Sequence, residues 1–232
     1  MDDRVSIGDL GDRLGRIQVR PGSDADHADR TLQPAGLSLS GTVVELLRSA
    51  LDHLDLASRD GDPHEFAHPT LLRSAITTAS TALWMMAGPV DEQCYRTLQF
   101  GFRDQVFRHQ YLEIARADPT AQAAVDARCD ELAAAARTLR PELSERRFHT
   151  IDSDSYIVAQ AGLLMAPGAL GGRDPAVEVL TQWNLLSAYA HGRSWAATVT
   201  EGERLDSDSV ALAVVDAAVA RLAQVADVSG GA

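Results

Sequence analysis

Trp183, Ser187, His191 and Trp195 are spaced four apart in the segment PAVEVLTQWNLLSAYAHGRSWAATV, and on an α-helix that interval draws one slowly drifting stripe. An imidazole titrates near neutrality and can take or give a proton, a neighbouring hydroxyl can hold its tautomer, and two indoles can wall a ligand. The surrounding Ala, Leu and Val only fill space. His191 and Ser187 are therefore the candidate catalytic pair, with Trp183 and Trp195 as walls. A Ser-His hydrolase is not indicated, because the chain has no G-x-S-x-G elbow and no identifiable carboxylate to orient the ring. The same spacing also describes a histidine with a purely structural role, packed beside Trp183 and satisfied by the Ser187 hydroxyl or a carbonyl.

Arg73, Arg96 and Arg103 form the second set. If they turn inward toward His191, the matched ligand is a planar anion, a carboxylate or phosphate, held by the guanidinium fork. Metal chemistry has little to build on. His64 and His68 are four apart in RDGDPHEFAH, with Glu65 the carboxylate between them, and Cys94 and Cys129 have no partner at ligand spacing. No metal or cofactor is expected, and both cysteines read as small packing residues.

All 21 basic residues are arginine. A chain without lysine has no Schiff-base nucleophile and no phosphate-loop lysine. Its wealth of Ala, Arg, Asp and Gly reads as the coding bias of a high-GC genome. The formal charge of −12 sets an average field that repels nucleic acid and anionic lipid. Arg137, Arg140, Arg146 and Arg147 are the densest basic group, but Glu142 and Glu145 interrupt it, so it reads as a solvated face. The N-terminal residues lack the pattern of a signal peptide, and no apolar run reaches 18 residues, so the expected location is cytoplasmic, without a membrane span.

The elements that must position these residues are helical throughout. Composition is 45% apolar and poor in aromatics, with Ala as the main filler, which favours closely packed helices over a β-sandwich. Residues 1–35, rich in Gly, Pro, Asp and Arg, read as a mobile arm, with one short ordered piece around Leu14 to Val19. Helices follow from Ser40 as N-cap to Ser58, from Pro69 to the Gly88-Pro89 break, and from 90 to 117. Asp118-Pro119 starts another, closed by Pro141. The last three run from Asp152 or Ser153 to Met165, from Pro175 to about Gly192, and from Ser207 to Ala226. The third carries two apolar strips, Leu98/Phe102/Val106 and Phe100/Phe107/Tyr111/Ile114, which predicts contacts on two sides. The expected fold is all-α, one bundle of about seven helices spanning 36–228.

Three strings, LLRSAITTASTALWMM, Arg96 to Asp104, and LLSAYAHGRSW, resemble uncharacterised all-helical proteins of actinobacterial type with a late Ser-x-x-x-His-Gly helix, distant relatives of the HEPN bundles. The likeness covers about residues 69–195. It implies a helical bundle, an acidic residue near Thr77 that this chain lacks, and a link to defence systems in which several members are ribonucleases. The R-x4-6-H motif of those ribonucleases fits Arg20/His27, Arg48/His53, Arg59/His64 and Arg103/His109, but not His191.

From these readings the leading expectation is an intracellular interaction or regulatory module, accessory to a defence or stress system, that self-associates or binds a protein partner. Its terminal helix offers Val210, Ala213, Val214, Ala217 and Ala220. The alternative is a small-molecule binder or enzyme using His191 with Arg96 and Arg103, and a ribonuclease is the third reading.

Overall fold

Ser6 and Ser23 each open a helix in the stretch whose Gly and Pro content suggested loose chain. The computed structural model describes residues 6–59, 67–116, 118–142, 148, 152–193, 196 and 201–227, with the side chains of 201–206 excepted. Ser6 Oγ accepts from the Asp9 N–H at 3.1 Å, and the Asp9 carboxylate accepts from the Ser6 N–H at 3.3 Å. This capping box starts α1 (Ile7–Arg16). Ser23 Oγ accepts from the Asp26 N–H at 3.2 Å and starts α2 (Asp24–Leu32), which runs into a 3-10 turn, Gln33–Ala35.

Leu10 and Leu14, then Ala25, Ala28 and Leu32, are buried in the same core as the later helices, because each set falls on one helical face. Asp29 accepts from Ser38 Oγ and from the Ser40 N–H, both at 3.0 Å, placing a carboxylate at the start of α3 (Leu39–Arg59). The expected mobile arm is thereby corrected: from Ser6 onward it is folded and tied to the body. The expected N-cap at Ser40 moves as well, since Ser38 Oγ accepts from the Gly41 N–H at 3.0 Å.

The remaining helices are α4 (Ala67–Met85), α5 (Val90–Ile114), α6 (Pro119–Leu139), α7 (Asp154–Leu164), α8 (Pro175–Ala190) and α9 (Glu201–Ala226). The described residues thus hold nine α-helices and no strand, not about seven helices. The seven expected elements are α3 to α9, and the surplus is the two in the arm.

α4 is surrounded by α3, α7, α8 and α9. It can be, because its Ala, Ser and Thr side chains are small and their hydroxyls turn back on the helix's own carbonyls. Ser74, Thr77, Thr78 and Thr81 donate to the carbonyls of Thr70, Arg73, Ser74 and Thr77 at 2.8–2.9 Å, so a polar composition is compatible with burial. Its C-terminal carbonyls are taken by arginines from two other helices. Arg96 Nη1 on α5 donates to Trp84 O at 2.6 Å, and Arg221 Nη2 on α9 donates to Met86 O at 3.1 Å.

α9 is the second interior helix, burying Val210, Ala211, Val214, Val215, Ala218, Val219 and Leu222. This corrects the expectation that Val210 and Val214 are free for self-association: both already lie in the chain's own core. The stretch Ser207–Ala226 is long and apolar enough to cross a membrane by length and composition, and half of it is buried within the fold.

The α5–α6 hairpin leans on the body through its base only. α5 buries Gln93, Cys94, Tyr95, Thr97, Leu98 and Gln99, all in its first half. Phe102 packs edge-on against Phe148, with ring centroids 5.1 Å apart. Beyond that point Phe107, Tyr111 and Ile114 stand 55%, 68% and 84% exposed. Of the two expected strips on this helix, the outer end of the second is thus mostly exposed, with the Arg103 guanidinium 5.5 Å from the Phe107 ring.

Candidate functional site

Arg73 is anchored where α4 crosses α8. Its Nε donates to Ser187 Oγ at 2.8 Å, and its guanidinium carbon lies 5.2 Å from the centre of the Trp183 ring. Trp183 is fixed in turn, its indole N–H donating to Thr77 Oγ1 at 2.9 Å. The Ser187 hydroxyl donates to Trp183 O at 2.8 Å. Arg73, Thr77, Trp183 and Ser187 therefore form one linked polar set between two helices, and three of the four were expected on chemical grounds. Thr77 was not among them. The signal was the Ser/Thr run of α4, whose hydroxyls keep an acceptor lone pair after donating to the backbone.

The stripe of four does not persist as a helix face. α8 ends at Ala190, His191 is its cap residue with φ −100°, and Gly192 turns the chain away at φ +61°. Four-residue spacing brings side chains together only while the helix continues, so His191 is exposed instead of packed beside Trp183. That departs both from the pocket reading and from the structural-histidine reading. Trp195 lies outside the described residues. The Ser187 proton is already committed to a helix carbonyl and its oxygen faces a guanidinium, an arrangement that orients side chains and does not build a nucleophile.

Arg96 and Arg103 are held elsewhere. Arg96 stacks 5.1 Å from the Trp84 ring, donates to Trp84 O, and pairs with Glu92 at 3.1 Å. Arg103 pairs with Asp154 on α7 at 2.7 Å and lies 5.5 Å from the Phe107 ring. Both guanidinium groups thus join helix ends and neighbouring helices. They were expected at the site on the premise that they turn inward toward His191, and sequence position does not show which neighbour supplies a carboxylate.

His68, expected in a loop, sits in the first turn of α4, 3.2 Å from Asp208 on α9, and its neighbour His64 lies outside the described residues. Of the Arg/His pairs at ribonuclease spacing, Arg103 is engaged as above, and His109 Nδ1 lies 3.0 Å from Asp126 on α6. Arg20 pairs with Asp227 at 2.9 Å. Of the interrupted basic group, Arg140 pairs with Glu92 at 2.8 Å, while Arg146 and Arg147 lie outside the described residues. Among the described residues, no three His, Cys, Asp or Glu side chains converge as a metal site would need.

Two clefts of ligand size lie apart from this set. One, of about 550 Å³, runs between α4 and α9 and is lined by Leu83, Ala87, Ala213, Ala217, Ala220 and Arg221. The other, of about 620 Å³, lies between the 3-10 turn and α6, with Leu98 at its base and Arg128 and Glu131 at its rim. Comparison with protein-family models, with curated proteins and with solved structures finds no match to this chain.

Proposed function

We propose that this chain is a helical interaction module that associates with a second copy of itself through the outer half of α5. The observation that carries the reading is the row Phe107, Tyr111 and Ile114, spaced four and three apart and exposed by more than half. That is the a/d interval of a helix that expects another helix against it. Large apolar side chains scattered singly on a surface need no partner, whereas three in register on a projecting helix mark an association surface.

A second copy fits the spacing of the row itself. Two α5 helices running antiparallel about a twofold axis near Tyr111 would set Phe107 of each copy against Ile114 of the other. The row is shorter than a standard interface of roughly 800 Å² per partner, so the dimer is weak and concentration-dependent. The reading rests on an apolar row and its spacing, not on the Arg73 set.

Size-exclusion chromatography with light scattering tests it. The expected mass rises from 24.9 kDa toward twice that value as concentration increases, and Ile114→Glu holds the chain at the monomer mass with unchanged helical circular dichroism. A wild-type mass of 24.9 kDa at every concentration would refute the reading, as would a dimer untouched by Ile114→Glu.

A further inference from the structure

Arg73 differs from the other half-buried arginines. Arg13, Arg96, Arg103, Arg128, Arg140 and Arg173 each pair with a carboxylate. Arg221 lies on the carbonyl end of α4, where the helix dipole supplies partial negative charge. Arg73 has only a neutral hydroxyl and an aromatic face. In a chain with 33 acidic residues against 21 arginines, a half-buried guanidinium without an anionic partner among the described residues is the exception. Among the described residues its desolvation is offset only by that hydroxyl and that aromatic face.

Its geometry is also fixed. Ser187 holds Nε, the Trp183 ring holds the guanidinium plane, and Thr77 holds that ring. These contacts leave both terminal nitrogens, Nη1 and Nη2, without a hydrogen-bond partner among the described residues. A guanidinium pinned at Nε presents those two nitrogens as a preorganised fork, and the matching group is an oxyanion with two oxygens on one centre. Holding the fork in place beforehand lowers the entropy cost of binding.

We infer that Arg73 is a binding site for a small oxyanion, a carboxylate or phosphate group taken end-on by Nη1 and Nη2. The aromatic ring behind the guanidinium excludes water from one face, which strengthens the charge-assisted bonds on its edge. Ser187 and Thr77 act as positioning residues through Arg73 and Trp183. The site stands whether the chain is a monomer or a dimer.

Arginine Nε–Hε resonances of the full-length chain, followed by proton-nitrogen correlation spectroscopy, test this directly. Sodium phosphate and sodium acetate are titrated separately, each against sodium chloride at matched ionic strength. The expected result is a saturating shift of the Arg73 resonance with phosphate or acetate, with no such shift at exposed Arg16 and Arg116. Saturation in the phosphate arm alone assigns a phosphoryl group, and in the acetate arm alone a carboxylate. A linear shift, or one shared with Arg16, would overturn the proposal and mean adventitious ion effects only. Arg73→Lys keeps the charge but loses the fork, so affinity, read in that variant from the indole N–H resonance of the neighbouring Trp183, should fall by about tenfold, the loss of one charge-assisted hydrogen bond. Undiminished saturation in that variant would also overturn it. If the variant does not fold, the wild-type titration decides alone.

Discussion

Gly162 on α7 lies directly against Ala176 in the first turn of α8. A methyl group placed on Gly162 would meet the Ala176 Cα and the Pro175 carbonyl oxygen, each at 2.6 Å. Both obstacles are backbone, which cannot rotate aside as a side chain can. Gly162→Ala should therefore push the α7–α8 hairpin apart and destabilise the fold by ~1–3 kcal/mol, the range for overpacking. Urea unfolding followed by circular dichroism measures it. A variant as stable as wild type would mean that the two helices are not in this close contact.

Residues 6–36 should behave as part of the cooperative unit. Leu10 and Leu32 are essentially inaccessible, so Leu10→Ala and Leu32→Ala should each cost about 2–5 kcal/mol. Substitutions in a loose tail would have no such effect. Thermal melts of the two variants, compared with an exposed control such as Gln18→Ala, separate the outcomes.

The Cys94 thiol is pushed up from 9.0 to about 11, first by burial and then by the negative charges of Asp91 and Asp29. A group whose folded pKa is raised stabilises fully below its unfolded pKa. In the unfolded chain the thiolate forms near 9.0, while in the folded chain ionisation waits until about 11. Stability should thus fall between those values, by on the order of 2 kcal/mol from this group. The difference between wild type and Cys94→Ala in denaturation midpoint, followed from pH 8 to pH 11, isolates it. Parallel curves would count against a buried, neutral thiol. Cys129 is also raised, by desolvation and then Asp126 and Asp130, so both thiols should label slowly at neutral pH.

The body of the bundle could be read from punctuation. Asp118-Pro119, Ser153, Asp174-Pro175 and Gly192 are caps and breaks whose chemistry is local, and the structure starts or ends helices at these points. The arm was harder because its signals are short. Ser6-x-x-Asp9 and Ser23-x-x-Asp26 are capping patterns with Asp in place of the more familiar Glu, and Asp29 acts on α3 from a different helix, a relation that local sequence does not display. The site was legible to the extent that helix phase governs it. Trp183 and Ser187 fall on one face and Arg73 meets them, but His191 does not, since α8 stops one residue before it. For Arg96 and Arg103 the deciding partners, a carbonyl of α4 and a carboxylate of α7, come from other elements.

Arg96, from the next helix in the chain, and Arg221, from the last, finish the same end of α4, with Arg221 and the carbonyl it reaches separated by 135 positions. The last turn of α4 cannot be completed by a nascent or truncated chain, because one of its two locks is made only after α9 has docked. That makes the 84–87 corner a late checkpoint in folding. Its amides should be among the last to gain protection from solvent exchange during refolding, after those at the middle of the same helix.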